Sequence, residues 1–148
     1  MVASSALTAL YPGSFDPFHN GHLDVVEQSV ELFGSVVIAV MHNPQKPSGL
    51  IDLGRRVDLI RACVAHLPTV RVAAHPGLAV DAARAEQVSF IVKGLRTPGD
   101  FEVEQQMAHT NYSVSGVRTV YLPCRPSQSF ISSRFIRDIA QHQGQVGH

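Results

Sequence analysis

The residues best suited to chemistry lie close together near the start of the chain, in the segment Tyr11-Pro-Gly-Ser-Phe-Asp-Pro-Phe-His-Asn-Gly-His22. Gly13 lets the backbone approach a ligand closely, and Ser14 offers a hydroxyl group and an amide. If a helix begins at the two histidines, its N-terminal amides and partial positive charge favour a bound phosphate. The imidazoles can also donate hydrogen bonds to phosphate oxygens. The segment therefore predicts a nucleotide-binding turn.

His19 and His22 have two other interpretations, a metal-binding pair or two incidental surface histidines. Pairs of metal ligands on helices prefer a spacing of i,i+4, whereas these two are spaced i,i+3. No cysteine or third ligand lies near them in the sequence to support zinc. The pattern favours nucleotide binding, and we expect no metal held by protein ligands.

Three further segments carry side chains that can bind phosphate. Lys46 lies in a proline-rich loop, and Lys93-Gly-Leu-Arg96 offers two cations with a glycine between them. Ser129-Phe-Ile-Ser-Ser133 presents consecutive hydroxyl groups. Each has a simpler explanation, because loop cations are often solvated and serines often cap helices. Glu102 and Glu104 also have a simpler explanation, as acidic side chains on the exposed surface of a helix.

Short apolar runs alternate with amphipathic stretches along the chain. Strands are predicted at Ala6–Tyr11, Val36–Met41, Val70–Ala74, Phe90–Val92 and Thr119–Leu122. Helices are predicted around Leu23–Phe33, Leu53–Val64, Leu78–Glu86, Asp100–Tyr112 and Ser132–His142. This alternation indicates an α/β fold, a five-stranded parallel sheet with helices on both faces, formed as one domain over residues 1–148. Right-handed crossovers bring the ends of the strands, and the candidate segments that follow them, to one edge.

The composition fits a single cytoplasmic domain. The chain has 148 residues, of which 45% are hydrophobic and 16% charged, and its formal net charge is +0. Proteins that bind nucleic acids or membrane surfaces usually carry a basic excess, so neither partner is expected. No apolar run approaches the roughly 20 residues that cross a bilayer, and no signal-peptide pattern is present. The two distant cysteines, Cys63 and Cys124, fit reduced thiols.

Five motifs, in this order, resemble those of bacterial phosphopantetheine adenylyltransferases, which belong to the HxGH nucleotidyltransferases. The motifs are Tyr11-Pro-Gly-Ser-Phe-Asp-Pro17, His19-Asn-Gly-His22, Lys93-Gly-Leu-Arg96, Asp100-Phe-Glu-Val-Glu104 and Ser129-Phe-Ile-Ser-Ser133. The resemblance extends from about Leu10 to Gly144 and implies a Rossmann-like domain that forms a homohexamer and uses Mg²⁺. It also implies transfer of the adenylyl group of ATP to 4′-phosphopantetheine, which gives dephospho-coenzyme A and pyrophosphate. We expect an in-line displacement without a covalent intermediate.

The same resemblance implies roles for individual residues. His22 and Lys46 are expected to be catalytic. The implied substrate-binding residues are Ser14, Lys46, Ala79 and Lys93. The implied ATP-binding residues are Ser14, Phe15, His22, Gly94, Leu95, Arg96, Glu104, Gln128, Ser129, Phe130, Ile131, Ser132, Ser133 and Arg134.

Three departures from the family pattern keep alternatives open. Arg134 stands where a third Ser or Thr is usual. The second helix begins Leu53-Gly-Arg-Arg56, where acidic residues usually precede the final Arg. The sequence stops at His148, whereas the family pattern continues into a C-terminal helical tail. Gly54 weakens the start of the second helix by up to about 1 kcal/mol relative to alanine. One alternative is an HxGH nucleotidyltransferase that uses a different phosphorylated acceptor. The other is a nucleotide-binding descendant without catalytic activity.

Overall fold

Strands and helices alternate along the part of the chain that the structure describes. The computed structural model describes residues 7–46, 49–88, 90–95 and 98–124. The strands in these ranges are β1 (Leu7–Gly13), β2 (Gly34–His42), β3 (Val70–Pro76), β4 (Phe90–Leu95) and β5 (Arg118–Pro123). The helices are α1 (Asn20–Phe33), α2 (Leu53–Cys63), α3 (Ala79–Ala85) and α4 (Pro98–Ser115). The helix predicted at Ser132–His142 lies outside the described residues.

The strands form one sheet in the order β3-β2-β1-β4-β5, and every neighbouring pair is parallel. The predicted α/β fold is confirmed. Because the order reverses at β1, the loops after β1 and β4 diverge and leave a crevice at the carboxyl edge of the sheet. The turn after β1, the start of the loop after β2 and the end of β4 lie along this edge, as expected, whereas the segment predicted after β5 lies outside the described residues.

Apolar side chains on both faces of the sheet bury the central strands. Ile38 points into a core formed with α1 and α2, whereas its neighbour Val37 points into a second core formed with α3. Leu10, Ile38 and Ile60 are completely buried, and burying such a side chain contributes about 1.5–3 kcal/mol. This packing makes the sheet a rigid support for the loops at its edge.

The strands extend further than the apolar runs predicted. β1 continues through Pro12 and Gly13, which pair with Ala39 and Val40 of β2. Proline and glycine are depleted in strands, so local propensity predicted an earlier end. Pairing with the neighbouring strand extends β1 and brings Ser14 to the edge of the sheet.

The two cysteines form no disulfide bond. Cys63 and Cys124 are thiols, as predicted. Among the described residues, no helix is both long enough and apolar enough to cross a membrane.

Candidate active site

The turn between β1 and α1 is built around a buried aromatic ring. Phe15 adopts a positive φ of 50° and is only 3% exposed. Its ring packs edge-on against Tyr11, Phe18 and His22, at centroid distances of 5.2, 5.5 and 4.9 Å. The side chain of Phe15 therefore belongs to the core, and its predicted contact with ATP would use its backbone.

His19 and His22 both accept hydrogen bonds from backbone amides at the start of α1. His19 Nδ1 accepts from the amides of Gly21 and His22, at 3.1 and 3.4 Å. His22 Nδ1 accepts from the His19 amide at 3.0 Å. A neutral imidazole that accepts at Nδ1 carries its proton on Nε2. In this tautomer the N–H group of each ring is therefore Nε2–H.

The sequence predicted that the first amides of α1 would be available to bind a phosphate, but two of them already have acceptors. The amides of Gly21 and His22 already donate to His19. A phosphate at this turn would therefore compete with the His19 ring for these two amides. Among the described residues, no group of three or more His, Cys, Asp or Glu side chains could hold a metal ion.

Ser14 and Lys46 line the same cavity at the carboxyl edge. The cavity has a volume of about 350 Å³ and is bounded by the turn after β1, the loop after β2 and the start of α2. His42, Asn43, Asp16 and Arg56 also line it. The structure thus brings together two residues predicted to bind substrate, although they are far apart in the sequence.

Asp16 and Arg56 hold the walls of this cavity and were not among the predicted site residues. The Asp16 carboxylate accepts hydrogen bonds from the amides of Leu50 and Ile51, both at 2.8 Å. The Arg56 guanidinium donates to the Ser14 carbonyl at 2.7 Å and to the Ile51 carbonyl at 2.9 Å. The sequence contained one indication for Arg56, because this charged residue lies beside the apolar positions of α2, where a buried side chain is expected.

A second group of predicted residues lies on β4 and α4. The Lys93 ammonium forms an ion pair with the Glu104 carboxylate at 3.6 Å, and about a quarter of each side chain is exposed. Tyr121 pairs with Lys93 across β4 and β5. Burial, together with the negative charge of Glu104, raises the pKa of Tyr121. Lys93 and Glu104, predicted to bind acceptor and ATP respectively, are therefore in direct contact.

Gly94 has a packing role that its predicted ATP contact did not anticipate. A Cβ atom at this position would lie 2.7 Å from Val25 Cγ2 and 3.4 Å from Cys124 Sγ. The absence of a side chain lets α1 pack closely on β4 beside the crevice. Its neighbour Leu95 ends β4 and is half-buried.

The sequence of the chain is similar to the sequences of known proteins. Residues 10–139 match the cytidylyltransferase-like family. The chain is 43% identical over 143 residues to the phosphopantetheine adenylyltransferase of Thermosynechococcus vestitus, covering 96% of this chain and 84% of that protein. It is 45% identical over 140 residues to the enzyme of the same name from Actinobacillus succinogenes, with coverages of 94% and 86%.

The chain belongs to the phosphopantetheine adenylyltransferase family. The resemblance predicted from the five motifs is confirmed. A phosphopantetheine adenylyltransferase from Streptomyces coelicolor, 44% identical over 140 residues, covers 95% of this chain and 87% of its own length.

Solved structures agree with the fold. A bifunctional NMN adenylyltransferase/ADP ribose pyrophosphatase from Francisella tularensis superposes with a TM-score of 0.70 at 14% identity, covering 95% of this chain and 43% of that one. A lipopolysaccharide core biosynthesis protein from Thermoplasma volcanium superposes with a TM-score of 0.56 at 18% identity, covering 80% and 96%. Both likenesses concern the fold alone.

The remaining predicted site residues fall into two groups. Ala79 is the first residue of α3, and the loop before it is tied to β2 by the Gly77 amide, which donates to the His42 carbonyl at 3.3 Å. The loops after β2 and β3 therefore meet at the carboxyl edge. The others lie outside the described residues, namely Arg96, Gln128, Ser129, Phe130, Ile131, Ser132, Ser133 and Arg134.

Proposed function

We propose that this protein transfers the adenylyl group of ATP to 4′-phosphopantetheine and releases pyrophosphate and dephospho-coenzyme A. The observation that carries the proposal is the 43% identity to a phosphopantetheine adenylyltransferase over 96% of the chain. The geometry supports it, because Ser14 and Lys46 share one cavity at the edge of a parallel sheet. Open α/β sheets bind their ligands at this edge.

The chemistry requires electrostatic stabilisation more than proton abstraction. The attacking group is a phosphate oxygen, which is ionised near pH 7, so the reaction needs no strong general base. The main barrier is the approach of two polyanions and the charge that develops on the reacting phosphates. Lys46 supplies a cation, and the Nε2–H of His22 supplies a fixed donor. An in-line displacement without a covalent intermediate is consistent with this set of residues.

The ion pair between Lys93 on β4 and Glu104 on α4 indicates how the two substrates share this part of the site. When the acceptor is absent, Glu104 neutralises Lys93. An acceptor phosphate would replace the carboxylate as the partner of Lys93. Glu104 would then be available to accept a hydrogen bond from the nucleotide, the role that the resemblance implies.

We propose that Mg²⁺ takes part as a component of the MgATP substrate. The described residues provide no cluster of ligands for a resident ion, and Mg²⁺ commonly binds substrate phosphates with few protein ligands. At a fixed concentration of ATP, the rate should rise with Mg²⁺ until ATP is saturated as the magnesium complex. A rate that is independent of added Mg²⁺ after treatment with a chelator would contradict this proposal.

We also propose that the protein is a cytoplasmic homohexamer and acts without a nucleic-acid or membrane partner. Family resemblance supports the hexamer, and the balanced charge of the chain supports the lack of such partners. Light scattering coupled to size-exclusion chromatography should give the mass of six copies. A monomer at micromolar concentration would contradict the proposed assembly.

The decisive test of function is an acceptor panel. Purified protein is incubated with MgATP or MgCTP and with 4′-phosphopantetheine, dephosphorylated pantetheine or nicotinamide mononucleotide, and released pyrophosphate is measured. Mass spectrometry should identify dephospho-coenzyme A only with ATP and 4′-phosphopantetheine. A product with another acceptor alone would favour a sister nucleotidyltransferase. Binding of ATP without pyrophosphate release would favour the non-catalytic alternative.

A further inference from the structure

Two buried charged side chains join the first turn of the site to the loop that follows β2. Asp16 is 4% exposed and Arg56 is 6% exposed. A charged group that is buried needs hydrogen-bonding partners, because desolvation is otherwise costly. Both side chains meet this need by bonding to the backbone of the cavity walls.

Asp16 holds the segment 49–51, which follows Lys46 in the chain and leads into α2. Its two carboxylate oxygens each accept one amide hydrogen, Oδ2 from Leu50 and Oδ1 from Ile51. The carboxylate also lies against Gly49, where an added Cβ would be 1.9 Å from Asp16 Oδ2. An added methyl group at position 49 would therefore displace either the Asp16 carboxylate or the loop.

Arg56 completes the connection from the opposite side. Its Nε donates to the Ile51 carbonyl, and one terminal nitrogen donates to the Ser14 carbonyl. The guanidinium presents these donors in a planar fork, which the single ammonium group of lysine cannot reproduce. Arg56 thus ties both sides of the cavity, the Ser14 turn and the Lys46 loop, to one point on α2.

We propose that Asp16 and Arg56 form a positioning clamp for the adenylyl transfer, setting the distance between Ser14 and Lys46 across the cavity. The inference rests on the proposed function. Neither clamp residue is assigned contact with the reacting atoms. Each acts through the backbone that carries the residues expected to make that contact. A misplaced catalytic group slows a reaction even when the fold persists.

Two substitutions loosen the clamp in different ways, and each has a matched control. Arg56→Lys keeps the charge but loses the fork, while Arg55→Lys makes the same change at an exposed neighbour on α2. Gly49→Ala separates the loop from the Asp16 carboxylate, whichever of the two shifts. Gly54→Ala adds the same methyl group where the nearest atom is Asp52 Oδ1 at 3.6 Å, an ordinary contact.

We expect Arg56→Lys and Gly49→Ala to lower kcat/KM for 4′-phosphopantetheine by about tenfold or more, while KM for ATP changes by less than about threefold. Both control variants should stay within about twofold of the parent. Because the clamp sets the distance between Ser14 and Lys46, adding Arg56→Lys to Lys46→Ala should cause a smaller loss than Arg56→Lys causes in the parent. Thermal unfolding of every variant shows whether the fold persists.

Hydrogen exchange at the amides of Leu50 and Ile51 measures how firmly these groups are bonded to Asp16, independently of catalysis. Exchange should be faster in Arg56→Lys and Gly49→Ala than in the controls. Parental kinetics in both clamp variants, or an undiminished effect of Arg56→Lys in the Lys46→Ala background, would overturn the positioning role. Unchanged exchange would overturn the clamp itself. A parent protein that forms no dephospho-coenzyme A would instead refute the proposed function, and with it the catalytic purpose of the clamp.

Discussion

His19 and His22 have similar hydrogen bonds but different surroundings. His19 Nδ1 accepts from two amides and caps α1, a role that other N-cap residues can fill. The two imidazole rings stack on each other at a centroid distance of 3.7 Å. The His22 ring is, in addition, edge-on to Phe15 and stacked on Phe18. This packing fixes the orientation of the His22 ring, as a preorganised donor requires.

Replacing His22 with alanine should therefore lower kcat by about a hundredfold, close to 3 kcal/mol of transition-state stabilisation, with little change in ATP binding. His19→Thr should be much milder, because threonine also caps helices. Turnover and calorimetric ATP affinity are measured for both variants. Near-parental turnover of His22→Ala would remove its catalytic role. Equal large losses in both variants would mean that the two histidines cannot be assigned separate roles.

Lys46 should affect the acceptor more than the nucleotide. Its side chain lines the cavity with Ser14, on the side of β2 rather than of β4. Lys46→Ala should lower kcat/KM for 4′-phosphopantetheine by about tenfold to a hundredfold and leave ATP affinity within about twofold. Gln45→Ala, at an exposed adjacent position, is the matched control. Unchanged kinetics with both substrates would place Lys46 outside the site.

Among the elements, β3 and α3 are joined by a cluster centred on Glu86, the residue that follows α3. The Glu86 carboxylate forms an ion pair with Arg71 and lies 2.7 Å from His75 Nε2. Burial alone would raise the pKa of Glu86, but the hydrogen bonds and charges of Arg71 and His75 outweigh it and lower the pKa below 4.5. The cluster therefore holds α3, which begins at Ala79, against β3.

This lowered pKa predicts how the cluster responds to acid. Because Glu86 is a stronger acid in the folded protein, its stabilising effect is present above pH 4.5 and is lost as the pH falls through the folded pKa. Glu86→Gln should cost about 2 kcal/mol of unfolding free energy near pH 7, and the difference should shrink towards zero in acid. Urea unfolding of the parent protein and of Glu86→Gln, from acidic pH to pH 7, measures this difference in unfolding free energy. Glu31→Gln, at an exposed site on α1, should show no such dependence, and a constant difference for Glu86→Gln would contradict the assignment.

Local patterns predicted the elements better than their boundaries or their connections. The alternation of apolar runs was sufficient for five strands and the helices between them, since each element buries an apolar face. The extension of β1 through Gly13 depends on pairing with β2, which no local propensity contains. Likewise, Asp16 and Arg56 bond to backbone groups 34 to 42 residues away. Their role arises only when the sheet brings those segments together.

The sheet as a whole divides the predicted site into two halves around β1. The loops after β1, β2 and β3 carry Ser14, Lys46 and Ala79, most of the residues expected to contact the acceptor. On the other side, β4 and α4 carry Gly94 and Glu104, which are expected to contact ATP. The crevice between β1 and β4 is where the two substrates would meet.

A crystal structure of the protein with dephospho-coenzyme A tests this arrangement most directly, because the product contains the newly formed bond between acceptor and nucleotide. Its pyrophosphate bridge should lie within hydrogen-bond distance, about 3 Å, of both His22 Nε2 and Lys46 Nζ. The pantetheine arm should run past the Ala79 backbone, and the adenosine should lie on the side of β4. A well-ordered product whose phosphates contact neither His22 nor Lys46 would contradict the account.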